Sequence, residues 1–333
     1  MHLEELWTAD TFKARLLRAL LTPTSWLYAL GWQSYLGIYR LGLKKPKEPH
    51  VPVVCIGNLL TGGTGKTPVT IHVADILAGL GRKVVISCSG YGSPASEAAQ
   101  LAPEGCLKAS EWGDEAALIR WLRPFIPLIV GRRRVLSAEL CHRHFADAVL
   151  LLDDGFQHLP LSKHLTILLD PPQSNRRCLP AGPYREPRGN NERADLAIHG
   201  IGDTAAGFEI ARRPMTFQTP AGQPRSVEGT VSILCALARP QGFVHALKAM
   251  GLTSSNVVLK PDHDPLADGN LLSGFPSGSP IIVTGKDWVK LRERPDVERY
   301  DVAIASYEVT IEPHDEFKDW LQKKLNGIAN KED

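Results

Sequence analysis

Short β-branched apolar runs alternate along the first two-thirds of the chain with segments of helical period. This is the pattern of a mostly parallel sheet flanked by helices. Strands are predicted at Val51–Ile56, Lys83–Cys88, Pro127–Val130, Ala148–Leu152 and Leu165–Leu169, with Ala194–Ile198 as a sixth candidate. Helices are predicted at Thr67–Leu80, Asp114–Leu122 and Arg134–His144. From about Gly207 the texture changes. Phe208–Phe217, Val231–Ala236, Asn256–Leu259, Ile281–Thr284 and Val302–Ile311 read as strands, and Gln241–Met250 and Glu316–Leu325 as helices. The expected architecture is α/β in three parts: a hydrophobic N-terminal helix region (1–48), a core (49–205) and a smaller C-terminal α/β lobe (206–333). The stretch from Asp170 to Glu192 holds Pro171, Pro172, Pro180, Pro183 and Pro187 and is expected to be one long loop. Loops of that length in compact domains are often functional.

The N-terminal region has its own pattern. Ala19 to Tyr39 carries no charged residue and is rich in aromatics: Trp26, Tyr28, Trp32, Tyr35 and Tyr39. Arg18 precedes it, and Arg40, Lys44, Lys45 and Lys47 follow. The stretch is long enough to span a bilayer, but Thr22, Pro23, Thr24, Ser25, Gln33 and Ser34 dilute it. Aromatic density and basic flanks suit a helix lying in a membrane interface better than one crossing it. The alternative is a hydrophobic helix packed on the protein's own core. No signal peptide is expected, because acidic residues and Lys13, Arg15 and Arg18 precede the apolar stretch and no small-residue cleavage site follows.

Composition narrows the class. A hydrophobic share of 43% and a charged share of 22% over 333 residues are those of a folded chain, large enough for one big α/β domain or two smaller ones. The formal net charge of +2 gives no support for a nucleic-acid partner. Six cysteines are scattered without a CxxC pair, so buried thiols in a reducing compartment are expected.

The chemistry begins at Gly62-Gly63-Thr64-Gly65-Lys66-Thr67, between the first strand and the first core helix. A glycine-rich turn there exposes backbone N–H groups at a helix N-terminus, where they can cradle phosphate. Lys66 would reach the β- and γ-phosphates of ATP, and Thr67 would hold Mg²⁺. The strict P-loop pattern has glycine where this chain has Leu60; Gly62 and Gly63 offset the loss. Leu150-Leu151-Leu152-Asp153-Asp154 is an apolar strand ending in acid, as a second metal-holding element requires. The same aspartates would also serve as a plain turn signal. Together these elements predict a P-loop NTPase-like core. Asp114 and Glu115 stand at a helix start, where acids favour the helix dipole; they could also supply a base and a metal ligand. His263 lies between Asp262 and Asp264 in a proline-bounded turn, placed to tune a carboxylate or simply solvated. Arg185, in the long loop, is able to pair with phosphate or to form a structural ion pair.

These motifs, in this order, resemble the tetraacyldisaccharide 4'-kinase family, the lipid A 4'-kinases. The resemblance rests on Gly57-Asn58 with Gly62 to Pro68, Gly113-Asp114-Glu115, Asp153-Asp154-Gly155-Phe156-Gln157-His158, Leu179 to Pro187, and Asp262-His263. It implies transfer of the ATP γ-phosphoryl group to the 4'-hydroxyl of a tetraacylated glucosamine disaccharide 1-phosphate. It implies Lys66 and Thr67 at phosphate and Mg²⁺, with Glu115, Asp153 and Asp154 also at the metal. Asp114 is implied as the base, paired with His263 from the second lobe on closure. Gln157, His158, Arg185, Glu186 and Arg134 are implied near the substrate. The implied setting is peripheral, on the cytoplasmic face of the bacterial inner membrane, with the chain expected to act as a monomer.

Two positions depart from the family pattern. Ser89 stands where an arginine is usual, and Gly285 where a glutamate is usual. Two other readings remain at this point. One is a membrane-associated ATPase switch of the MinD or ParA type, although Thr61 replaces the extra lysine such loops carry before their tandem glycines. The other is a cytosolic small-molecule kinase whose N-terminal helix belongs to the core.

Overall fold

Every residue of the run Val53–Asn58 is buried, as a strand with neighbours on both sides and cover on both faces requires. The computed structural model describes residues 3–200, 207–276 and 278–329. Residues 3–88 form α1 (Leu3–Thr8), α2 (Phe12–Arg40), β1 (Val53–Asn58), α3 (Lys66–Gly79) and β2 (Val84–Cys88). Next come β3 (Gln100–Leu101), α4 (Ala109–Trp112), α5 (Asp114–Leu122) and β4 (Leu128–Val130). They are followed by α6 (Arg134–His144), β5 (Val149–Asp153), β6 (Leu165–Leu169), β7 (Leu196–Ile198) and β8 (Glu209–Arg212). The chain continues through β9 (Thr216–Gln218), β10 (Pro224–Arg225), β11 (Thr230–Cys235), α7 (Pro240–Ala249) and β12 (Thr253–Leu259). It ends with β13 (Ile281–Thr284), α8 (Gly285–Leu291), β14 (Val302–Ser306), β15 (Val309–Glu312) and α9 (His314–Ala329).

These elements fall into two units, each drawn from separate stretches of chain. One gathers Met1–Ser87, Arg133–Ala211 and Thr310–Asp333; the other gathers Cys88–Arg132 and Arg212–Val309. The linear division 1–48, 49–205 and 206–333 therefore differs from the division by contacts, and its boundary at 205/206 lies outside the described residues.

In the first unit β2, β5, β1, β6 and β7 lie side by side, all parallel. Ile56 pairs with Asp153, so β1 and β5 end on the same edge. That edge, outside the carboxyl ends of the strands, is where open parallel sheets bind ligands. The 29-residue α2 contains the uncharged stretch of the sequence and extends beyond it at its N-terminal end. It begins where Thr11 caps it, its hydroxyl accepting from the Ala14 N–H at 3.2 Å. One face of α2 is tied to the long loop. Tyr28 donates to the Arg185 carbonyl at 2.7 Å, the Ala181 N–H donates to Ser25 at 2.9 Å, and Gln33 donates to Asn190 at 3.1 Å. The other flank leaves Phe12, Leu16, Leu20, Trp26, Leu27 and Leu30 exposed. No helix among the described residues is long and apolar enough to cross a membrane.

The second unit holds β11, β12, β13 and β14 in parallel, with antiparallel β9 and β10 at one edge. Alternate residues of its strands feed two cores on opposite faces. Leu234, Ile281 and Ile304 pack with Trp288 and Phe275; Ile233, Ile282 and Ala303 pack with Phe243 and Leu247. Trp121 of α5 packs against the first core, and α5 packs on α8. This is the physical reason that residues 88–132 join residues 212–309.

Two predicted strands are each two strands. Phe208–Phe217 breaks into β8 and β9 around Pro214, which has no N–H to give a ladder. Val302–Ile311 breaks after Ser306, where the chain leaves β9 as its partner and pairs as β15 with β8.

Candidate active site

The first unit holds the glycine-rich loop expected to cradle phosphate. Gly62 and Gly65 have φ of 87° and 82°, a region that favours glycine, and Gly65 is the N-cap of α3. Neither Gly63 nor Gly65 has an atom within 4 Å of where a Cβ would sit. Asn58 donates to Thr64 at 2.7 Å and fixes the turn. Leu60 replaces the usual glycine because the chain there is extended, not turned. It bridges Tyr184, while the Arg185 N–H donates to the Leu59 carbonyl at 2.7 Å and the Thr61 N–H to the Pro183 carbonyl at 2.9 Å. The long loop thus pairs with the entry to the cradle. Gly57 is required by packing, since a Cβ there would lie 2.5 Å from the Phe156 Cβ.

The carboxylates stand at the end of β5. Asp153 is buried and accepts from Thr67 at 2.8 Å and from Thr70 at 3.0 Å. Burial pushes its carboxyl above the usual range, and the Thr67 hydrogen bond and Lys66 charge offset only part of that. Asp154 has φ of 57°, a conformation that non-glycine residues adopt mainly at special sites. Its carboxylate receives Arg185 Nη1 at 2.9 and 3.1 Å and lies 3.5 Å from Lys66. Burial pushes it up, but Lys66 and Arg185 prevail and hold it below the usual range.

The second unit builds a separate network around Asp114. Gly113, with φ of 88° and a Cβ position 3.3 Å from the Gly90 backbone, starts α5 where no larger residue fits. Asp114 is nearly buried, 2.9 Å from His263 Nδ1 and 3.4 Å from Lys286 Nζ. Lys286 also reaches Asp262 at 3.0 Å and His263 Nε2 at 3.5 Å. Burial alone would push Asp114 up; the hydrogen bond to His263 and the Lys286 charge outweigh it and hold Asp114 at about 2. The Asp114 hydrogen bond raises His263 in turn. Tyr91 packs its ring 5.6 Å from that of His263. Glu115 follows Asp114 in the first turn of α5.

The expected pairing of Asp114 with His263 therefore forms, but inside one unit and without closure of two lobes, because residues 88–132 pack with the C-terminal strands. Three residues expected at the substrate are otherwise engaged. Glu186 is fully buried and accepts from Gln157, Asn190 and Arg193, while Gln157 also donates to the Asn58 carbonyl at 2.8 Å. Arg134 is buried against the Asp153 carbonyl and Ser87. These three side chains brace the cradle. His158 is pushed down to about 4 by burial and is neutral. Lys286 is the residue that sequence reading missed. It lies in Thr284-Gly285-Lys286-Asp287, a motif whose visible departure in the sequence is Gly285 in place of a glutamate. Gly285 itself makes room for Trp121 and Leu118, which lie 3.0 and 3.2 Å from the position of a Cβ.

A strand–glycine loop–helix with acid at the end of the neighbouring parallel strand defines a P-loop nucleotide-binding protein. Comparison with known proteins narrows this class. The family model described as LpxK, tetraacyldisaccharide-1-P 4'-kinase, matches residues 17–326. The chain belongs to that family. The tetraacyldisaccharide 4'-kinase of Anaeromyxobacter dehalogenans is 35% identical over 81% of this chain and 77% of its own length. That of Desulfatibacillum aliphaticivorans is 30% identical over 92% of each chain. A crystal structure of LpxK from Aquifex aeolicus, described as an apo form in complex with ATP, superposes with a TM-score of 0.79 at 27% identity. That match covers 92% of this chain and 99% of the other. The readings as an ATPase switch or a cytosolic small-molecule kinase find no support in these comparisons.

Proposed function

We propose that this chain transfers the γ-phosphoryl group of ATP to the 4'-hydroxyl of a tetraacylated glucosamine disaccharide 1-phosphate, a step of lipid A biosynthesis. The observation that carries the reading is the hydrogen-bonded set Asp114, His263 and Lys286 on a chain that also holds a complete phosphate cradle. Phosphoryl transfer asks for charge neutralisation at the phosphates and for an acceptor hydroxyl that is held and deprotonated. The backbone N–H groups before α3, with Lys66, meet the first need. Asp114 meets the second, as an ionised carboxylate whose second charge partner, Lys286, keeps it ionised.

Mg²⁺ suits the oxygen donors gathered at the end of β5. Asp153 is buried and under-neutralised, Thr67 lies against it, and Asp154 is next in sequence. Thr67, Asp153 and Asp154 would hold the ion, which neutralises phosphate charge when bound. Arg185 and His158 remain the candidate contacts to the lipid head group.

The exposed apolar flank of α2, Phe12 to Leu30, supports contact with a membrane surface on the cytoplasmic face of the inner membrane, where ATP is found. A monomer suffices, since every group named lies on one chain. Incubating the protein with the disaccharide 1-phosphate and γ-labelled ATP tests the reading; label must appear in the lipid-soluble fraction only when both substrates are present.

A further inference from the structure

At the C-terminal end of α2 an open cavity of about 390 Å³ has no role in the phosphoryl-transfer chemistry. Three cations line it: Arg40 from α2, Lys163 from the turn before β6, and Arg193. No acidic residue lines it among the described residues. Its remaining walls are mostly apolar, formed by Leu36, Tyr39 and Phe156 among others, with Ser162 and Thr166 as the polar exceptions. Arg193 is fixed, stacked 4.2 Å over the Phe156 ring and bonded to buried Glu186. Arg40 reaches Glu192 at 2.6 Å on the exposed rim. Lys163 donates to the His158 carbonyl at 2.8 Å and makes no ion pair among the described residues. Burial depresses the Lys163 ammonium, and an anion in the cavity would offset that cost.

We propose that this cavity binds the phosphate head group of an anionic lipid, with Lys163, Arg40 and Arg193 on the phosphate oxygens and the apolar walls on the first carbons of the chains. A lipid is favoured over a free anion because one ligand must satisfy both linings, and because the same helix exposes an apolar flank. The site thus rests on the reading of α2 as a membrane-surface helix and gives that helix a specific phosphate contact at its C-terminal end.

The test titrates the full-length protein, in a non-ionic detergent, with sub-micellar dihexanoyl phosphatidic acid, dihexanoyl phosphatidylcholine and inorganic phosphate. Calorimetry should show one saturable site for phosphatidic acid, with the other two binding at least about tenfold more weakly. Lys163→Met and Arg40→Ala should each weaken phosphatidic acid on the order of tenfold while binding MgATP as the wild type does. Arg40 is on the exposed rim, so its variant decides the matter should Lys163→Met fail to fold. Equal binding of both lipids would reduce the cavity to a chain pocket and overturn the proposal. Equal binding of phosphate would make it a free-anion site. No phosphatidic acid binding, or unchanged binding in the variants, would place any lipid contact elsewhere. Vesicle flotation of the wild type tests α2 separately; its failure removes the membrane reading, while the titration still decides the cavity.

Discussion

Asp114, the proposed base, combines two demands that usually conflict: it is almost buried, yet it is held ionised. A group held at about 2 is a weak base toward a ground-state hydroxyl. In a loose phosphoryl-transfer transition state the hydroxyl proton becomes acidic only as the new bond forms, so an oriented carboxylate needs little basicity. Asp114→Ala is expected to lower turnover by about two to four orders of magnitude while MgATP binding stays within about twofold, measured by lipid phosphorylation and nucleotide titration. His263→Ala should cost less, since Lys286 still keeps the carboxylate ionised; an equal loss would make His263 itself the proton acceptor. The same pair predicts pH dependence. Asp114 lies below its ordinary 3.8, so its stabilisation is present above that value and is lost as pH falls toward about 2. His263 is raised above 6.5, so its stabilisation is complete below 6.5 and is lost as pH rises through its raised value. The urea midpoint of His263→Ala should therefore trail the wild type at about pH 5 and approach it at about pH 9.

The elements owe their positions to contacts that a linear reading shows unevenly. The cradle was legible because everything that makes it is local: an apolar strand, glycines at positive φ, then a helix. Leu60 departs from the glycine pattern because Tyr184 and Arg185, far along the chain, pair with that stretch. Gly285 likewise answers to Trp121. Gly285→Glu is expected to destabilise the fold by about 1–3 kcal/mol, because Trp121 must give way; Trp121→Leu in the same chain should recover part of it, read by urea unfolding. The outer flank of α2 makes its own prediction. Leu16→Glu with Leu27→Glu should abolish flotation with anionic vesicles and leave MgATP binding unchanged, since both side chains are exposed. Retained flotation would move membrane contact off this helix.

At the scale of the molecule, the chain crosses between its two units several times, and this was not legible. Residues 88–132 interrupt the first unit in sequence and fold with the second, a grouping set by Trp121 and α5 on α8 that no local pattern encodes. Burial of charge was also hidden: Glu186 and Arg134 sit in motifs that read as substrate-facing, and only their burial and their partners reveal what holds them. Lys286 was the reverse case, a residue without a conspicuous motif role that contact places beside Asp114. The most direct test of the account supplies γ-labelled ATP and the tetraacyldisaccharide 1-phosphate to the wild type and to Asp114→Ala. The account predicts label on the 4'-position of the lipid with the wild type, and a drop of about two orders of magnitude or more with the variant. ATP hydrolysis without labelled lipid, or equal labelling by both proteins, would contradict it.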